Sequence, residues 1–72
     1  MLSKGAFTKK IGENIKRLRE ERGLSQEELA HQAGLYRTYV GHLENARYSP
    51  SAYLLYKLAT IFKVNISELF LS

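Results

Sequence analysis

The sequence predicts an all-α fold, a compact bundle of five helices. Three observations carry that expectation. Apolar residues recur every third or fourth position through almost the whole chain, the helical period. Capping-box starts and glycine stops cut the chain into short helical pieces. No stretch alternates apolar and polar residues with the two-residue period of a strand. Seventy-two residues make one small domain, residues 1–72, near the lower size at which a core sustains itself.

The first helix is predicted from Phe7, Ile11, Ile15 and Leu18, at i, i+4, i+8 and i+11, with charges on the other face. Gly23 stops it, as glycine does just past a helix end. Glu13 with Arg17 and Lys16 with Glu20 add i,i+4 pairs worth about 0.2–0.5 kcal/mol each. Ser25-Gln26-Glu27-Glu28 is a capping box for the second helix: the serine hydroxyl accepts from a first-turn amide while Glu28 reaches back to the Ser25 amide. Leu29, Ala30 and Ala33 form its inner face. Gly34 closes it and supplies the positive φ of a sharp turn. A third helix is expected from near Tyr36 to about Asn45, burying Val40 and Leu43. After a loop, Pro50 with Ser49 or Ser51 opens a fourth helix, whose inner face is Leu55, Leu58, Ala59 and Phe62. Asn65-Ile66-Ser67-Glu68 resembles another capping box and starts a short fifth helix carrying Leu69 and Phe70.

Composition narrows the function classes. There is no cysteine, so no disulfide and no thiolate metal site is available. His31 and His42 fall on different predicted helices without metal-ligand spacing, so they read as surface histidines, and no cofactor is expected. The lysines near the N-terminus are not followed by an apolar run. The most apolar stretch, 52–62, is broken by Lys57 and Thr60 and is too short to span a bilayer. The expectation is a soluble cytoplasmic, nucleoid-associated protein with no membrane or small-molecule partner. No nucleophile–base–orienter set is present, so an enzyme is not expected. The net charge is +4, with basic residues at Lys4, Lys9, Lys10, Lys16, Arg17, Arg19, Arg22, Arg37 and Arg47. Such a domain prefers polyanions, unless the charge is merely solubilising.

The ordered series Leu24-Ser25-Gln26-Glu27-Glu28-Leu29-Ala30, Ala33-Gly34-Leu35, Val40, Leu43-Glu44, Pro50-Ser51, Leu58-Ala59 and Val64 through Phe70 resembles the phage-repressor and Cro family of helix-turn-helix DNA-binding domains, the lambda-repressor-like fold. The motif covers about residues 25–44. Arg37-Thr38-Tyr39, in a chain this short, also resembles the controller proteins of restriction–modification systems. The resemblance implies a third helix that enters the major groove of double-stranded DNA and a second that crosses the backbone.

Roles follow position by position. Arg37, Thr38 and His42 match positions that touch base edges. Arginine can donate two bonds to guanine O6 and N7, discriminating by about 1–3 kcal/mol. The plainer alternatives are a phosphate-bound or solvated arginine and a half-solvated surface histidine. Ser25 and Gln26 at the second helix start, Tyr36 and Tyr39 flanking Arg37, and Asn45, Arg47, Tyr48 and Ser49 beyond the third helix are the backbone contacts; such contacts set register and carry most of the affinity. Tyr36 is alternatively a staple packed on the second helix. Arg19 and Glu44 match a partly buried ion pair joining the first helix to the end of the third, or else are two separate surface charges. Gly41, between the reading positions, either permits close approach to the sugar–phosphate or is neutral.

The chain departs from the family pattern in three places. Ala46 stands where glycine is common, which shifts the expected left-handed residue to Asn45. Tyr48 and Ser49 replace a basic-plus-asparagine pair. The fourth helix and the end of the chain carry surplus apolar bulk: Tyr53, Leu54, Tyr56, Ile61 and Leu71. Uncovered, these residues form a homodimer interface; otherwise they are ordinary core and scattered surface tyrosines. The sequence therefore points to a homodimeric, sequence-specific transcriptional regulator on an inverted-repeat operator, controlling restriction–modification genes, with RNA polymerase as a further partner. The competing reading is a protein-interaction module, antitoxin- or coactivator-like, on the same fold.

Overall fold

The computed structural model describes residues 3–71. Its order is α1 (Lys4–Glu21), α2 (Gln26–Ala33), α3 (Tyr39–Glu44), α4 (Ala52–Phe62) and a single 3₁₀ turn at Ile66–Leu69. The described residues contain no strand, so the all-α class holds with four α-helices rather than five. The fifth predicted helix is one 3₁₀ turn: Asn65 Oδ1 caps it, accepting from the Ser67 amide at 2.9 Å, and the Glu68 and Phe70 amides bond three residues back, to Asn65 O and Ser67 O. No described helix is long and apolar enough to cross a membrane.

The core is continuous. Ile11, Ile15 and Leu18 of α1 meet Leu29, Ala30 and Ala33 of α2, Val40 and Leu43 of α3, Leu54, Leu55, Leu58, Ala59 and Phe62 of α4, and Leu69. Two expectations are corrected here. Phe7 was placed on the inner face of α1 but is 38% exposed; it lies at the margin of the core, its ring tilted against that of Phe70 at 6.2 Å. Leu54, assigned to the dimer interface, is a core residue at 8% exposure. α4 packs against both α2 and the 3₁₀ turn, which widens its buried arc by one position beyond the single stripe read from the sequence. Ile61 also leans on the core and is partly buried.

All four helices end alike. The residue after each helix, or one further on, turns left-handed: Gly23, Gly34, Ala46 and Lys63. The next amide then bonds back five residues, from Leu24 to Arg19 O, Leu35 to Ala30 O, Arg47 to His42 O and Val64 to Ala59 O. This is the Schellman closure. At the end of α3 the left-handed residue is Ala46, with φ 60, not Asn45, whose φ is −93. The Asn45 Nδ2 donates to Gly41 O at 2.8 Å, which holds that residue on the helical side. An L-residue in this conformation costs about 1–2 kcal/mol relative to glycine's freedom there. Ala46→Gly is therefore expected to stabilise the domain by about 0.5–1 kcal/mol. An unchanged midpoint in urea unfolding would count against this account of the turn.

Several basic residues serve the fold. Arg22 Nε donates to Phe62 O at 2.8 Å and its Nη1 to Leu18 O at 3.2 Å, so it takes up one carbonyl at the C-terminal end of α4 and one in the last turn of α1, where a cation is favoured. Arg17 pairs with Glu21 at 3.4 Å and Asn14 instead of the expected Glu13. Asn14, buried, donates to Leu69 O at 2.9 Å and fastens α1 to the 3₁₀ turn.

Candidate nucleic-acid interface

α3 has six residues, too few to be stable alone. It exists because Val40 and Leu43, essentially fully buried, seat one side of it against the core. Its start is corrected from Tyr36 to Tyr39. After Gly34, Leu35 drops toward the core, and the Tyr39 amide bonds Tyr36 O at 2.9 Å. Residues 36–38 are thus consumed by the turn. Arg37 and Thr38 sit in that turn, at the entrance to the helix. Thr38 is the N-cap but makes no side-chain capping bond, so its hydroxyl is not spent on the helix. Arg37 is 82% exposed, and its Nε lies 2.8 Å from Glu27 Oε2.

The other end of α3 is pinned from below. Arg19 Nε donates to Glu44 Oε2 at 2.6 Å and Nη2 to Oε1 at 3.1 Å, a two-point pair, while Nη1 donates to Leu24 O at 2.8 Å. The two side chains are 10% and 3% exposed. The hydrogen bond to Glu44 holds the guanidinium pKa above its ordinary value, against burial, with help from the charges of Glu44 and Glu20. Gln26 joins the network: its Nε2 donates to Glu44 Oε1 at 3.0 Å. One carboxylate therefore ties together α1, the first turn of α2 and the end of α3. Gly41 faces this point. A Cβ there would stand 3.4 Å from Gln26 Oε1, so the space above Gly41 is taken by the Gln26 side chain.

A second cluster lies along one flank of α3, beside the buried Val40 and Leu43. The Tyr48 ring lies 5.1 Å from that of Tyr39 and 4.9 Å from that of His42. Arg47 Nη1 approaches His42 Nδ1 at 3.4 Å. If Arg47 donates, Nδ1 accepts and the proton of neutral His42 sits on Nε2, as a donor. Tyr39 is half-buried and His42 partly so. Ser49, Arg47 and Asn45 are exposed. Tyr36 is 85% exposed, so the alternative in which it staples back onto α2 does not hold. Ser25 is occupied by the capping box: its Oγ accepts from the Glu28 amide at 3.0 Å and its own amide donates to Glu28 Oε1 at 2.8 Å. That amide bond first, then the serine side chain, holds the Glu28 carboxyl below its ordinary pKa.

The helix-turn-helix family model matches residues 15–69, from the middle of α1 to the 3₁₀ turn. The chain belongs to the helix-turn-helix family. This helix-turn-helix chain is 40% identical over 57 residues to an uncharacterized HTH-type transcriptional regulator of Archaeoglobus fulgidus, covering 79% of the chain and 81% of that protein. Its structure is similar to that of the restriction-modification controller protein C.AhdI from Aeromonas hydrophila, with a TM-score of 0.82 and 41% identity over 88% of this chain and 96% of that one. It is similar too to SinR, the master regulator for biofilm formation, solved in complex with DNA, with a TM-score of 0.75 and 35% identity over 82% and 95% of the two chains.

Two residues of this helix-turn-helix site escaped the sequence reading. Glu27 meets Arg37 across the turn, a separation of ten positions between different elements that no periodicity reveals. Gly12 lies under the end of α3, where a Cβ would stand 2.5 Å from Leu43 O and 2.9 Å from Glu44 O. Its signal was present: a glycine inside a strong helix costs about 0.5–1 kcal/mol against alanine, so something must require it.

Proposed function

We propose that this DNA-binding transcriptional regulator acts as a homodimer on an inverted-repeat operator. Arg37, Thr38 and His42 meet base edges; Ser25, Gln26, Tyr36, Tyr39, Asn45, Arg47, Tyr48 and Ser49 meet the backbone. The observation that carries this reading is the asymmetry of α3. Its inner side and far end are fixed by the core and by Arg19, while Arg37 and Thr38 are left outward at its entrance. Protein groups on rigid elements whose own geometry is locked are suited to reading a partner. The likeness to C.AhdI supports control of restriction–modification genes, and the likeness to SinR in complex with DNA supports the docking of α3.

For the dimer, Tyr53 and Tyr56 lie three positions apart on one face of α4 and are 72% and 65% exposed; Leu71 is 64% exposed. With the partly buried Ile61, these are the apolar side chains that would meet their copies across a two-fold contact. Two copies would set their recognition helices about 34–36 Å apart. RNA polymerase joins as a partner where the bound dimer activates. The same tyrosines also favour a second reading, an interaction module that holds another protein.

Selection of binding sites from a random DNA pool separates the two. The regulator yields an inverted repeat with a guanine opposite Arg37, bound about 10³-fold or more tighter than scrambled DNA. Arg37→Ala should cost about 1–3 kcal/mol at that base and relax the preference there. Weak, steeply salt-dependent binding without a preferred sequence would overturn the regulator reading.

A further inference from the structure

We propose that Glu27 is a positioning residue for Arg37: it holds the guanidinium for a base and withholds it from phosphate. The inference rests on the reading of Arg37 as a base contact. Glu27 is in the first turn of α2 and Arg37 in the turn before α3; the Nε–Oε2 distance is 2.8 Å, with side chains 82% and 63% exposed for Arg37 and Glu27. So exposed a pair contributes little to folding. Its consequence lies in what it does to the donors.

Arginine carries five N–H donors in a planar fork. Engaging Nε leaves the two terminal nitrogens side by side, and that end is able to pair with guanine O6 and N7 together. An untethered arginine on this surface would also satisfy itself on any phosphate, which carries no sequence information. The Glu27 carboxylate opposes that: it offsets the local positive charge and repels a phosphate brought alongside. Of the neighbouring side chains, Glu28 is held by the Ser25 amide, and Gln26 places one amide hydrogen on Glu44 and keeps the other for the DNA backbone. In a DNA complex water leaves the interface, the effective dielectric falls, and the Glu27–Arg37 attraction strengthens where it matters.

The test uses the selected operator, variants of it changed only at the guanine opposite Arg37, and scrambled DNA, with the wild type, Glu27→Gln and Arg37→Ala. The wild type should prefer the guanine by roughly 5- to 100-fold. Glu27→Gln should keep the wild-type Tm and the preferences at other positions. At the guanine it should lose about threefold or more of the preference, and it should bind scrambled DNA more tightly with a salt slope steeper by about one. Wild-type preference and wild-type affinity for scrambled DNA in Glu27→Gln would overturn the positioning role while Arg37→Ala, by losing the preference, leaves base reading intact. If Arg37→Ala also keeps the preference, base reading by Arg37 fails and the role of Glu27 falls with it.

Discussion

Glu44→Ala is expected to cost about 3–5 kcal/mol of stability, because it strands a buried guanidinium. Arg19 is 10% exposed at its side chain and has two of its donors on the Glu44 carboxylate. Removing the carboxylate leaves it with Leu24 O at 2.8 Å and a distant Glu20 at 3.9 Å. A domain this size has only about 5–15 kcal/mol in total, so the variant should melt about 12 °C or more below the wild type, at roughly 4–8 °C per kcal/mol. Arg19→Met should cost a similar amount, leaving the carboxylate without a counter-charge and with only the Gln26 amide to bond it. The double variant should cost less than the sum, since each single change already contains the penalty of an abandoned charge. The sign of the pH dependence follows from the raised arginine pKa. A folded value above the unfolded one stabilises the fold at every pH below the ordinary arginine range, so this contribution does not fade across neutrality. Single variants within about 1 kcal/mol of wild type would show that the pair behaves as an exposed one.

That pair also shows what a sequence can and cannot disclose. The helices were legible because their signals are local: the Ser25–Glu28 box, the Gly23 and Gly34 stops, and the spacing of Ile11, Ile15 and Leu18 each act within one or two turns. Arg19 and Glu44 are twenty-five positions apart, and only resemblance to a family brought them together beforehand. Leu54 was misplaced because burial of a helix face depends on how many neighbours flank it, and α4 has them on two sides. The start of α3 and the left-handed Ala46 were missed for a different reason. Both are decided by how a turn shares its hydrogen bonds among several amides, the Tyr39 amide to Tyr36 O and the Arg47 amide to His42 O, a competition that residue preferences alone do not settle. Basic composition likewise overstated the charge left for DNA, since Arg19 is buried against Glu44 and Arg22 is held on the carbonyls of Phe62 and Leu18.

The second large effect is expected at Gly12, a position with no chemistry of its own. In Gly12→Ala the new methyl would lie 2.5 Å from Leu43 O and 2.9 Å from Glu44 O. Both are backbone atoms at the end of α3, so no side chain can swing aside. Either α1 and α3 separate or the last turn of α3 deforms. Overpacking of this kind costs about 1–3 kcal/mol, and it outweighs the gain of about 0.5–1 kcal/mol that alanine brings to a helix interior. The same substitution at Gly5, in the same helix with nothing within 4 Å, should be neutral or mildly stabilising. The pair of variants thus separates helix propensity from interhelical contact. Separation at Gly12 also lifts Glu44 away from Arg19 and Gln26, which shifts the whole of α3 relative to α2. Operator binding should therefore weaken about tenfold or more even at temperatures where Gly12→Ala remains folded, since misplacing a reading surface by an ångström forfeits its paired bonds. Full operator affinity in a destabilised Gly12→Ala would mean that α3 takes its position on DNA from the groove rather than from α1.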